Sequence, residues 1–217
     1  MKRKNKLIAD IIRVVKFSKE MLYGHIAFRN IGKTITVFGS ARIPEEKQYY
    51  TVGVEIGKEL AKKGYAVMTG AGPGIMEAAN KGAKIGGGKS YGCSIKIPNE
   101  QRSNTFLDKV VEFKYFFARK VILTRFSSGF IALPGGYGTL DELFEMATLV
   151  KTDRMKSFPI VLIGCDFWQP MLTYLEQKLI TYGTISESEL HCFYLTDSIP
   201  EAIEHIEKTL KKISDNE

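Results

Sequence analysis

Apolar and polar positions along the chain follow two periods, and the period switches repeatedly. Over residues 5–24, Ile8, Ile11, Ile12, Val15 and Leu22 recur near helical spacing with basic residues between them, which predicts an amphipathic helix. Gly24 and Asn30-Ile31-Gly32 are stop and linker signals behind it. From residue 33 short β-rich runs alternate with helical stretches. Strands are predicted at 34–38, 65–69, 91–95, 109–113, 130–133, 159–163 and 193–196. Helices are predicted near 46–63, from the Gly70–Gly74 loop to Gly86, and near 115–126, 139–151, 167–181 and 199–212. The unbroken apolar run Phe130-Ile131-Ala132-Leu133 marks a central strand covered on both faces.

Repeated strand–helix units imply an α/β fold: a Rossmann-like, doubly wound parallel sheet with helices on both faces. Residues 1–30 read as a basic helical extension and 31–217 as one domain. Sheets of this kind bind ligands at the carboxyl ends of their strands. The Gly-rich segments after Phe38, Met68 and Leu133 all fall at such ends, so three loops are expected to converge on one crevice.

Charge changes this picture little. The net charge of +7 suggests nucleic acid, but residues 1–30 carry +6 of it and the remaining 187 residues only +1. A domain-wide footprint for DNA or RNA is absent, and a nucleic-acid partner is not expected. The three cysteines, Cys93, Cys165 and Cys192, show no C-x-x-C spacing and read as free thiols in a reducing compartment. His25, His191 and His205 form no metal-ligand pattern, and Asp166 and Asp197 stand apart, so no metal is expected. The basic start is followed by an apolar stretch broken by Asp10, Arg13 and Lys16, unlike a secretory leader, and no run is long enough to span a membrane. The expected location is the cytoplasm.

Two loops carry the chemistry. Gly70-Ala71-Gly72-Pro73-Gly74-Ile75 follows a strand and opens a helix, as a dinucleotide fingerprint would, but Ile75 stands where the last glycine belongs. NAD is therefore disfavoured. Pro134-Gly135-Gly136-Tyr137-Gly138-Thr139-Leu140-Asp141-Glu142 is more informative. Its glycines free backbone N–H groups, and the start of the next helix, to face an anion. No G-K-[ST] follows, so a magnesium-held triphosphate is not implied. Thr139-x-x-Glu142 also fits a helix capping box, in which Glu142 reaches back to a backbone N–H. That use and a chemical role compete for the same carboxylate.

The run P-G-G-x-G-T-x-x-E at 134–142, preceded by Arg119-Lys120, resembles the signature of the LOG ("lonely guy") family, cytokinin riboside 5′-monophosphate phosphoribohydrolases often labelled lysine decarboxylases. Val37–Arg42 and Thr69–Ala79 resemble its bacterial members, and the likeness covers about 34–170. It implies a homodimer or larger homo-oligomer and a base–ribose 5′-monophosphate as substrate, with no cofactor. It places catalysis on Arg119 and Glu142. Phosphate and ribose contacts fall on Gly135, Gly136, Gly138 and Thr139, with Lys120, Glu100 and Thr148 as further carry-overs. Ser40 and Gly72, in the loops after the first two strands, complete the expected substrate side. A lysine decarboxylase would need a lysine holding pyridoxal phosphate, and nothing singles one out. The remaining alternative is a non-catalytic nucleotide-binding or sensor module using the same crevice.

Overall fold

A computed structural model of the chain describes residues 2–96, 103–152 and 158–215, with side chains from residue 7 onward. Helix α1 (Lys2–Phe28) leads into strand β1 (Thr34–Phe38), α2 (Gln48–Lys62), β2 (Ala66–Thr69), α3 (Ile75–Ile85) and β3 (Ser90–Ile95). Then come β4 (Lys109–Phe113), α4 (Phe116–Arg125), β5 (Gly129–Ala132), α5 (Tyr137–Lys151) and β6 (Ile160–Ile163). The chain finishes with α6 (Cys165–Tyr174), α7 (Glu187–Leu190), β7 (Phe193–Thr196) and α8 (Ile199–Asp215).

All seven predicted strands form, in one sheet of order β4-β3-β2-β1-β5-β6-β7. Every neighbouring pair is parallel. The chain winds outward from β1 to β4, then crosses back to place β5 on the other side of β1. The topological switch point therefore lies between β1 and β5, where such sheets open a crevice at their carboxyl ends.

Side chains of successive strand residues feed two separate cores, as the pleat requires. Phe38, Met68, Phe113 and Phe130 meet Phe28 of α1, Ile122 of α4, Met146 of α5 and Trp168 of α6 on one face. Ile35, Val37, Val67 and Ile131 meet Ile56 of α2, Ile75 of α3 and Ile203 of α8 on the other. The sheet is thus covered by helices on both faces. α2 and α3 approach so closely that a Cβ on Gly82 would lie 1.9 Å from the Val54 carbonyl oxygen.

Some predicted boundaries shift. The first helix runs to Phe28 rather than 24, because Met21, Ala27 and Phe28 find apolar partners on the body. The helix expected at 167–181 is α-helical only to Tyr174 and widens into a π-helical turn over Leu175–Ile180. The short α7 was not predicted.

Candidate active site

The three Gly-rich loops do converge, and Ser40 ties them together. Its N–H donates to the Pro134 carbonyl in the loop after β5 at 3.0 Å, and its carbonyl accepts the Ile75 N–H at the end of the loop after β2, also at 3.0 Å. Gly74, at φ +68°, takes a left-handed conformation that lets the two chains touch: a Cβ there would lie 2.4 Å from the Ser40 oxygen. The Ser40 hydroxyl accepts the Arg42 N–H at 3.0 Å, closing the turn after β1.

α5 begins at the crevice. Its N-cap is Gly136, no side chain caps it, and no acidic residue occupies its first turn. Its first N–H groups therefore face outward beside exposed Gly136, Tyr137 and Gly138. Gly135 is half-buried over Thr139, which is itself buried. A Cβ on Gly135 would sit 2.0 Å from Thr139 Oγ1 and 2.5 Å from its Cβ. A short β-branched neighbour cannot swing clear of that clash. Gly135→Ala should therefore displace the first turn of α5, cost about 1–3 kcal/mol as overpacking, and weaken substrate binding. Gly138→Ala, whose Cβ would meet nothing within 4 Å, should leave stability unchanged or raise it slightly. Thermal melts of the two variants side by side check this.

The capping-box reading of Thr139-x-x-Glu142 does not hold. Thr139 lies inside the helix, and Glu142 points to the interior instead, 6% exposed, with Oε1 2.6 Å from Arg119 Nη1. Arg119 is fixed from three directions. Its Nε–H donates to the Cys93 carbonyl within β3 at 2.8 Å, Nη1 meets Glu142, and Nη2 lies against Gly70, where a Cβ would come within 2.8 Å of it. α4, α5, β3 and the β2 loop thus meet at one guanidinium. Glu142 Oε2 is buried with no hydrogen-bond partner among the described residues. Burial pushes the Glu142 carboxyl above its ordinary range, and the adjacent guanidinium and Lys120 offset this only in part. The Cys93 thiol behind the pair is pushed up to about 12 by burial and is chemically quiet.

The other expected site residues fall in different places. Gly72 is in the β2 loop beside Met76, whose Cε a Cβ would meet at 2.5 Å. Lys120 turns to α5, with its amine 2.7 Å from Asp141 and 3.1 Å from Glu145. Burial works against its charge, but the two carboxylates outweigh it and hold its pKa above the ordinary value. Thr148 is exposed and donates to the Phe144 carbonyl at 2.7 Å. It lies about 16 Å along α5 from Tyr137, so one subunit does not bring it to the loops. Glu100 lies outside the described residues.

The β2 loop is braced by residues outside the expected site. Ala71 holds φ +67°, an unusual value for a residue with a side chain. Asn104 Nδ2 donates to the carbonyls of Ala71 at 3.1 Å and Gly72 at 3.0 Å and to Asn80 Oδ1 at 3.0 Å, while its own N–H meets the Ala71 carbonyl at 2.9 Å. Thr69 and Ser90 complete the network through buried Asn80. No sequence signal marks Asn104. Among the described residues no cluster of three or more His, Cys, Asp or Glu could hold a metal, and no helix is long and apolar enough to cross a membrane.

A family model described as possible lysine decarboxylase matches residues 76–206. The probable cytokinin riboside 5′-monophosphate phosphoribohydrolase LOGL2 of Oryza sativa subsp. japonica is 30% identical over 180 residues, covering 81% of this chain and 72% of the relative. The chain belongs to the LOG family. Among solved structures, the structural-genomics target TM1055 superposes with a TM-score of 0.63 at 26% identity, over 81% of this chain and 99% of its own. A molybdenum cofactor binding protein from Rippkaea orientalis superposes with a TM-score of 0.61 at 23% identity, over 81% and 96%. That last likeness concerns the fold alone. LOG relatives are named as hydrolases, and the matched span includes both Arg119 and Glu142.

Proposed function

We propose that this LOG-family chain hydrolyses the N-glycosidic bond of a nucleoside 5′-monophosphate, AMP or an N6-modified AMP of the cytokinin riboside type, releasing free base and ribose 5-phosphate. The observation that carries the reading is the Arg119–Glu142 pair at 2.6 Å, its side chains 13% and 6% exposed, with Glu142 Oε2 left without a partner among the described residues. Breaking such a bond makes the anomeric carbon cationic in the transition state, as in glycoside hydrolysis. Glu142 stabilises that charge through Oε2 and accepts a proton from the attacking water, whose oxygen bonds to the anomeric carbon as the bond to the base breaks; the base leaves with the bonding electron pair and takes up a proton from solvent. Arg119 presents only N–H donors, so it binds and orients rather than acting as a base. The 5′-phosphate sits on the backbone of Gly135, Gly136, Gly138 and Thr139 at the start of α5, with Ser40 and Gly72 shaping the crevice walls. Lys120 acts indirectly, by holding α4 to α5. No cofactor enters the reaction. In this reading residues 31–217 form the catalytic body of a cytoplasmic homo-oligomer, and residues 1–30 are an appended element.

Phosphate binding far from the reacting carbon can position it, so its loss should reach kcat as well as KM. AMP and N6-isopentenyl AMP should release base at least about 100-fold faster than the corresponding nucleosides, given the roughly 1.5–3 kcal/mol of a hydrogen bond to a charged group and more than one such bond. Chromatography of the free base measures this directly. Equal rates with and without phosphate would remove the phosphate from the α5 site. AMP that binds without cleavage would favour the sensor module instead.

A further inference from the structure

The loop after β2 holds an unfavourable backbone shape beside its contact with Arg119. Ala71, 1% exposed, stands at φ +67°. A residue with a Cβ resists this left-handed region, whereas glycine enters it freely. Hydrogen bonds on both sides of Ala71 hold it there. Its N–H donates to Thr69 Oγ1 at 3.0 Å. Its carbonyl accepts twice from Asn104, from the N–H at 2.9 Å and from Nδ2 at 3.1 Å, and Nδ2 also reaches the Gly72 carbonyl at 3.0 Å. Asn104 Oδ1 accepts the Phe106 N–H at 3.1 Å, which decides the end of the amide that faces the loop.

Two routes carry this conformation to Arg119. The first is direct. Gly70 precedes Ala71 and lies against Arg119 Nη2, so closely that a Cβ on Gly70 would come within 2.8 Å of that nitrogen. The second runs through buried Asn80. Its Oδ1 accepts from Asn104 Nδ2 at 3.0 Å and from Thr69 Oγ1 at 2.7 Å. Its Nδ2 donates to Ser90 Oγ at 2.8 Å and, at 3.4 Å, to the Tyr91 carbonyl. The loop is thereby tied to β3, and it packs so tightly on that strand that a Cβ on Gly92 would come within 2.7 Å of Ala71 Cβ. The next residue of β3 is Cys93. Its carbonyl takes the Arg119 Nε–H at 2.8 Å, and its thiol lies 3.7 Å from the Arg119 carbonyl. Gly70 and Cys93 thus hold the guanidinium from the side away from Glu142, and Asn104 joins the loop that carries one to the strand that carries the other.

We propose that Asn104 is a positioning residue for Arg119: its amide holds Ala71 in the left-handed conformation, and so sets where the β2 loop and β3 place the guanidinium. Only the kinetic consequence rests on the hydrolase reading above. A guanidinium displaced on the order of 1 Å no longer orients the substrate, which costs about 100-fold in rate. Asn104→Ala should therefore lower kcat for base release from AMP by about 10–100-fold, with a smaller change in KM, since the phosphate contacts lie on α5. The second readout needs no activity. The Arg119 Nε–H, followed by proton–nitrogen correlation NMR and assigned by its loss in Arg119→Lys, should exchange with water at least about tenfold faster in Asn104→Ala than in the wild type. A role confined to overall stability would leave that proton protected well below the melting temperature. Ala71→Gly added to Asn104→Ala should restore both kcat and protection, because glycine holds φ +67° without a brace. Should Asn104→Ala fail to fold, Asn104→Asp keeps the shape and the Phe106 contact, loses the amide donors, and should show the same faster exchange. An Arg119 Nε–H as protected in both Asn104 variants as in the wild type would overturn the proposal, whatever their activity. So would a double variant no closer to wild type than Asn104→Ala. Faster exchange that Ala71→Gly reverses, in a protein whose wild type releases no base, would uphold the positioning and sink the hydrolase reading instead.

Discussion

Glu142→Gln is expected to abolish base release while leaving the fold intact, lowering kcat by about 10²–10⁴-fold, the range for a group that transfers a proton in the transition state. The variant keeps the shape of the side chain and one oxygen to accept from Arg119. It removes the negative charge that answers a cationic sugar carbon. Because burial already disfavours the ionised form of Glu142, a neutral isostere costs the folded state little, and the melting temperature should move by only a few degrees. The same burial predicts the wild-type pH profile. Activity requires the carboxylate, so kcat/KM should fall on the acid side, with an apparent midpoint above the ordinary value of 4.5. A flat profile through that region, or a glutamine variant with more than a tenth of wild-type activity, would take Glu142 out of the chemistry. Nucleotide binding by the variant, measured by calorimetry, should persist, since the phosphate contacts lie on backbone groups.

The sheet was readable because its strands are short apolar runs punctuated by glycine, and central parallel strands leave little room for polar residues. The convergence of loops followed from topology: strand carboxyl ends share one edge, and the return from β4 to β5 sets the crevice beside β1. What could not be read was competition for a side chain. Thr139-x-x-Glu142 and Ser186-x-x-Glu189 are the same pattern on paper. At Ser186 the glutamate returns to the Ser186 N–H at 2.6 Å and starts a helix that had not been anticipated. At Glu142 a part-buried guanidinium, supplied from 23 residues away in sequence, takes the carboxylate inward. Spacing records what a side chain can reach locally, and only tertiary structure supplies the stronger partner. The same holds for Asn104, whose amide braces the loop carrying Ala71 at φ +67°. It also holds for Lys120, whose neighbours Asp141 and Glu145 lie on a helix that sequence alone could not orient toward it. The apolar spacing in α1 was legible as a helix, but the exposure of residues 7–16, which meet no cover among the described residues, became visible only in the structure.

Arg119→Met should damage stability as well as activity, and the pH at which it does so identifies the cause. The guanidinium holds three elements at once, through the Cys93 carbonyl, Glu142 and the Gly70 backbone. Removing it leaves a carboxylate in the interior without its compensating charge, a change that costs about 3–5 kcal/mol where one partner of a buried pair is deleted. The loss depends on ionisation of Glu142. Without Arg119, the folded-state pKa of Glu142 rises further above its unfolded value, so the folded state binds a proton that the unfolded state releases. Stability of the variant is then best preserved below the unfolded pKa and falls as pH rises from there through the folded pKa. Urea melts at pH 4.5 and pH 8 should therefore show a smaller gap from the wild type at the lower pH. Arg119→Met/Glu142→Gln should recover part of the deficit at pH 8, because no charge remains to be buried, and the double-mutant cycle isolates the pair from the Cys93 contact. Arg119→Lys should recover less than the double variant: an ammonium reaches Glu142 but cannot bridge to the Cys93 carbonyl in the same plane. A stability deficit independent of pH, or a double variant no better than Arg119→Met, would mean that Arg119 acts by packing and by its hydrogen bond to β3 rather than by its charge.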